Sequence, residues 1–74
     1  MKKFRTVKDG VTFFLDYDRT VEIIKERRPG VEELTDRYCC LYLDRLDAVD
    51  IWDFFGSAIM YTAEPPRATE IVED

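Results

Sequence analysis

The chain contains no histidine. That removes the commonest general acid and base, the commonest metal ligand and the usual partner that activates a nucleophile. Its three glycines, at 10, 30 and 56, stand apart, and each suits a turn or a helix end, so there is no Gly-rich loop to cradle a phosphate. No apolar run approaches the ~18 residues of a membrane-spanning helix. Basic charge is never concentrated. Its densest groups are Lys2, Lys3 and Arg5, and Lys25, Arg27 and Arg28 before Pro29, which read as solvated surface rather than as a phosphate site. Cysteine is confined to the adjacent pair Cys39 and Cys40, and neighbours in sequence strain the peptide between them if they form a disulfide. They are expected to be buried thiols rather than a vicinal redox pair. With no cysteine framework and no signal peptide, a reducing cytoplasm is the expected compartment.

Acid, by contrast, is plentiful. Sixteen Asp and Glu against eleven Lys and Arg leave a net charge of −5, a sign that repels a phosphate backbone and argues against direct nucleic-acid binding. Aromatic residues are also plentiful: five Phe, four Tyr and one Trp in 74 residues. Each ring carries roughly 150–250 Å² of surface, more than so short a chain hides easily. A chain of this length supports one core, and a core of this size rarely supplies more than ~3–5 kcal/mol without a disulfide, a metal or a second subunit.

The two surpluses meet between Asp44 and Phe55, where Asp-Arg-Leu, Asp-Ala-Val, Asp-Ile-Trp and Asp-Phe-Phe follow one another. A helix turns by about 100° per residue, so acids three apart drift by about 60° each and cannot share one narrow face. Laid on one straight helix, Leu46, Val49, Ile51, Trp52, Phe54 and Phe55 would point nearly all the way round. Either the helix breaks within the run or a partner covers part of it. A break near Asp47 is expected, with Asp47 as the N-cap of a short helix over 48–55 and Gly56 just past its end. Val49, Trp52 and Phe55 then line its buried side, with Ala48 and Ile51 beside them, and Phe54 is the ring left over.

Elsewhere, residues 3–8 and 11–16 joined by Asp9-Gly10 carry a strong hairpin signal, because that dipeptide readily takes the positive φ values of a tight turn. Asp18 is the expected cap of a helix over 19–28, ended by Pro29-Gly30. Thr20, Val21, Ile23 and Ile24 are β-branched, so a third strand competes there, and the good helix formers around them favour the helix. Acids in a first turn and the spacing of Val31, Leu34, Tyr38 and Leu41 predict a helix from 31 to 46, although the continuously apolar run 38–43 also fits a short central strand. A strand-like run from Ser57 to Thr62 can pair with the hairpin. From Ala63 on, Glu64-Pro65-Pro66-Arg67 and an acidic end read as an extended, flexible tail.

The expected architecture is α+β: a small antiparallel sheet, made of the N-terminal hairpin plus a C-terminal strand, packed by two or three helices. It spans 1–62 as one compact domain, followed by the tail 63–74. No cofactor is implied. Asp44, Asp47, Asp50 and Asp53 are the candidates for a divalent cation, but they diverge around a helix and lack the turn glycine of a calcium loop, so no metal site is expected. Asp16 and Asp18 are explained by turn and capping roles.

The expected function is therefore recognition without catalysis. An acidic, cytosolic protein-binding module would modulate or inhibit a larger partner, or pair as a homodimer. Trp52, Phe54 and Phe55 would be its apolar anchors, with Asp47, Asp50 and Asp53 as orienting charges. The alternative is a nucleic-acid mimic that occupies a DNA- or RNA-binding protein through the carboxylates of 44–53 with Glu64, Glu70, Glu73 and Asp74. Charge density disfavours it, since acids three residues apart on a helix are separated by ~4.5 Å, against one charge per ~1.7 Å of duplex.

Overall fold

The computed structural model describes residues 1–56, 58–61 and 64–73; for 58–61 the description covers the backbone. Ser57, Thr62, Ala63 and Asp74, which the sequence places at the ends of a strand or in a tail, lie outside the described residues.

Strands β1 (Lys2–Lys8) and β2 (Val11–Asp16) form the expected hairpin. Asp9 and Gly10 have φ of 53° and 75°, the two positive values of a turn whose twist matches that of the strands. Direct cross-strand pairs Phe4–Leu15 and Thr6–Phe13 put Phe4, Thr6, Phe13 and Leu15 on one face, while Arg5, Val7, Thr12 and Phe14 take the other. Strand β3 (Ala58–Tyr61) pairs antiparallel with β2 and supplies the expected C-terminal strand.

The chain 64–73 is not a free tail. Glu70–Glu73 forms a fourth strand, β4, antiparallel to β1, which gives a four-stranded sheet in the order β3-β2-β1-β4. Composition alone cannot reveal this, because what holds β4 lies elsewhere in the sequence. Thr69, at its entry, is buried, and its backbone N–H and hydroxyl both donate to one carboxylate oxygen of Asp44. The Thr69 hydroxyl also meets that of Thr6 at 2.8 Å. Ahead of it, Glu64 accepts from the Arg5 guanidinium at 2.6 Å and from the Thr12 hydroxyl at 3.4 Å, and Glu70 accepts from Arg5 at 3.2 Å and Arg67 at 3.0 Å.

Helix α1 (Tyr17–Arg27) follows β2 without a loop. Its cap is Asp16 rather than the expected Asp18: the Asp16 carboxylate accepts the Arg19 N–H at 3.0 Å from the last extended position of the strand. Thr20 and Ile24, four apart, are its buried stripe, so the competing strand is not adopted. Helix α2 (Asp36–Asp44) is shorter than the expected 31–46. Thr35 is extended, and its hydroxyl takes the Tyr38 N–H at 3.1 Å. A side chain that binds the backbone locally competes with a continued helix, which is why this one starts here. The shift turns Cys39 and Leu43 inward. Leu41 lies about 200° from each of them around the axis and faces solvent.

The axis then breaks where the sequence requires it. Arg45 and Leu46 close the end of α2 with tight backbone bonds to Tyr42 and Leu43, and α3 (Ala48–Phe55) starts afresh. Asp47 and Asp50 form its capping box, each carboxylate accepting the other residue's N–H at 2.8 and 3.4 Å. Gly56 ends it in the left-handed conformation, φ 54°. All three helices lie on one face of the sheet. The core comprises Phe4, Phe13 and Leu15 from the strands with Ile24, Cys39, Leu43, Ile51 and Phe55 from the helices. Among the described residues no helix is long and apolar enough to cross a membrane.

Candidate functional site

Helix α3 and its N-cap Asp47 carry every predicted contact residue, and the structure distributes them over three environments. Ile51 and Phe55, four apart, form the inward stripe, so Phe55 belongs to the core with 8% of its surface exposed. This corrects its expected place among the contact anchors. Val49 and Trp52, expected on the buried side, instead point outward, with 64% and 51% of their surfaces exposed. Trp52 meets the core ring of Phe13 in a T-shaped arrangement, the centroids 6.4 Å apart and the planes at 89°. Phe54 is half-buried at the flank, where the Arg27 guanidinium lies 3.4 Å above its ring while Arg27 Nε donates to the Tyr42 hydroxyl at 3.0 Å.

That arginine lid gives a reason for the rotation. Phe54 is the ring the sequence could not place, and a guanidinium covers an aromatic face favourably in a partly wet position. With Phe54 covered from α1, a helix of two turns needs only the Ile51–Phe55 stripe to enter the core. Val49, Trp52 and Asp53 are left as a contiguous outer surface at positions i, i+3 and i+4.

The acids divide as well. Asp44 holds Thr69, and Asp47 and Asp50 hold each other's backbone, whereas Asp53 is exposed and serves neither cap. Lys8 donates to the Asp44 backbone carbonyl at 3.0 Å, and burial pulls its ammonium pKa down while Asp44 and Asp47 push it back up. Among the described residues no group of His, Cys, Asp or Glu is arranged to hold a metal ion. Cys39 is buried and Cys40 partly so, and burial pushes both thiols above their ordinary pKa, with Asp36 adding to the effect. A raised thiol pKa keeps sulfur protonated and poorly nucleophilic at neutral pH.

A second polar cluster joins β1, α1 and α2. The Tyr17 ring stacks on Phe4 at 5.2 Å, the Lys2 ammonium sits 4.0 Å above it, and its hydroxyl donates to Asp36. The Asp36 hydrogen bond, with burial second, raises the Tyr17 pKa from 10.0 to about 12. Tyrosine charges by losing its proton, so a folded value above the unfolded one means that the folded state holds that proton longer. The resulting stability is full below pH 10 and is lost as pH rises toward about 12. A spectrophotometric titration should show a late tyrosine phase that Tyr17→Phe abolishes and Asp36→Ala moves back toward 10. A single early phase in the wild type would contradict this assignment.

Sequence reasoning missed one further feature. Arg28, Tyr38, Leu41, Tyr42, Arg45 and Leu46 line a half-open groove of about 290 Å³ beside the end of α1 and along α2. The only hint in the sequence was the basic end of α1. Its convergence with Arg45, seventeen positions later, is a product of packing. No family model, curated protein or solved structure matches the chain.

Proposed function

We propose that the protein is a small, non-catalytic binding module that modulates a partner protein by docking through the outer face of α3. Val49 and Trp52 are the apolar anchors and Asp53 the leading orienting charge, with Asp47 and Asp50 adding to the acidic rim. The observation that carries this reading is the exposure of Val49 and Trp52 side by side on a helix whose other bulky residues are buried or covered. Tryptophan is the residue type most enriched where interface energy concentrates, and rim carboxylates steer a basic partner into place. Phe54, beneath Arg27, supports this face from the side. Mimicry of a nucleic acid draws on the same acids. Three of the four carboxylates between 44 and 53, however, are already hydrogen-bonded at the ends of α2 and α3, where local structure accounts for their spacing.

Trp52→Ala is the discriminating variant. Half of this side chain is already in water, so its loss should cost about 1 kcal/mol of stability in chemical denaturation. Partner binding should fall by about 2 kcal/mol or more, roughly thirtyfold. Comparing the proteins retained by immobilised wild type, Trp52→Ala and Asp53→Asn reads the second effect. Equal retention by all three would dismiss the proposed face, as would collapse of the Trp52→Ala fold.

A further inference from the structure

The groove along α2 is chemically the opposite of the α3 face. Its lining carries two guanidiniums and no acid, although the chain as a whole is at −5. Neither Arg28 nor Arg45 has a carboxylate within ion-pair distance among the described residues. Leu41, 53% exposed, supplies an apolar wall, and Tyr38 and Tyr42 supply flat, amphipathic ones. A volume of 290 Å³ falls at the lower edge of the roughly 300–1,000 Å³ of small-molecule pockets. Being half open, the groove suits a large side chain or two presented by another surface better than an enclosed ligand.

We infer that its occupant is the outer face of α3 from a second copy of this chain, the contact being made twice about a two-fold axis. This rests on the reading of α3 as a docking face and names its partner. Trp52 and Val49 would lie against Leu41, Tyr38 and Tyr42, with Asp53 facing Arg45 and Arg28. Complementarity of both charge and apolar surface is present within one sequence. A chain cannot satisfy it alone, because Ile51 and Phe55 fix α3 in the core with its outer face turned away. The two surfaces also adjoin in sequence: Arg45 and Leu46 of the groove directly precede the Asp47 cap of α3. Adjoining, complementary patches suit a reciprocal, closed contact, in which each copy gives its helix and receives its partner's. Such a contact uses fewer residues than the roughly 20–30 a side of a standard interface, so the dimer is weak and forms at high concentration.

Sedimentation equilibrium over a wide concentration range, read alongside the emission of the sole tryptophan, tests this. The wild type should move from one copy toward two as concentration rises, with Trp52 emission shifting to the blue as its exposed face leaves water. Arg45→Glu and Asp53→Arg, both at exposed positions, should each weaken association about tenfold, equivalent to 1.4 kcal/mol. The two changes in one chain leave the net charge unaltered, so general repulsion between acidic copies is held constant. Affinity in the double variant should return to within about threefold of wild type. Circular dichroism of each variant confirms that it is folded. A wild type that stays monomeric throughout overturns the inference, as do a dimer indifferent to either single change, a double variant that fails to recover, or masses that grow beyond two copies. A strict monomer that still binds another protein through Trp52 would sink the dimer and leave the α3 face standing.

Discussion

Ending the chain at Ala63 should leave it largely unfolded, although the residues removed look like a dispensable acidic tail. The deletion takes away β4 and with it the whole hydrogen-bonded row along one side of β1. It strips Arg5 of Glu64 and Glu70, leaving a guanidinium that is mostly out of water and whose Nε already lacks a partner. It also removes Ile71, which packs on the core opposite Phe4, and frees Asp44 and Thr6 from Thr69. The lost β4 ladder, the lost Ile71 packing and the broken, part-buried Arg5 ion pairs together cost roughly 3–5 kcal/mol. That is comparable to the ~3–5 kcal/mol a core of this size supplies. Far-ultraviolet circular dichroism and amide-proton dispersion should both report a disordered chain. A truncated protein that keeps the native spectrum and unfolds at the same denaturant concentration would show that β4 contributes nothing.

Phe4→Ala should have an effect of the same order from inside the core. Phe4 is fully buried, pairs across the hairpin with Leu15 and across the other ladder with Ile71, and stacks on Tyr17. It is therefore the point at which both halves of the sheet and the start of α1 meet. Truncating a buried phenylalanine costs about 3–5 kcal/mol, the lost transfer free energy plus the cavity. Set against a total stability of similar size, the variant should be mostly unfolded at room temperature, whereas Phe4→Leu, which keeps most of the volume, should remain folded with a lowered midpoint. Denaturant titration of the three proteins measures this. A Phe4→Ala variant with an unchanged midpoint would place the centre of the core elsewhere.

What could be read from the sequence was whatever short-range chemistry determines. The Asp9-Gly10 hairpin needs two residues at positive φ, and α3 runs from the Asp47 cap to Gly56 as expected because both ends carry their own signals. The same reasoning slipped by two residues at α1, where Asp16 and Asp18 are equally good caps until the end of β2 selects one. It failed at α2, whose apolar spacing continues back to Val31 although Thr35 interrupts it. Nothing local to 64–73 reports β4, because Thr6, Arg5 and Asp44 that secure it come from distant parts of the chain. For the candidate site, the sequence identified α3 and its acids but not its rotation. Whether Trp52 or Ile51 turns inward depends on Arg27 covering Phe54, a contact between residues far apart in sequence.

The position of β1 has a consequence for synthesis. The strand made first occupies the interior of the sheet, between a neighbour made next and one completed only at Glu73. Because closing so long a loop is slow compared with forming a hairpin or a helix turn, a nascent chain without β4 samples the hairpin and helix turns only transiently and gains no stable fold. One flank of β1 must then wait bare until the last ladder can form. During translation, at about 5–20 residues per second, that interval outlasts every local folding step. The ribosome-bound intermediate thus exposes an open strand that the finished molecule hides, and it is the form that chaperones and fibril-forming side reactions would meet.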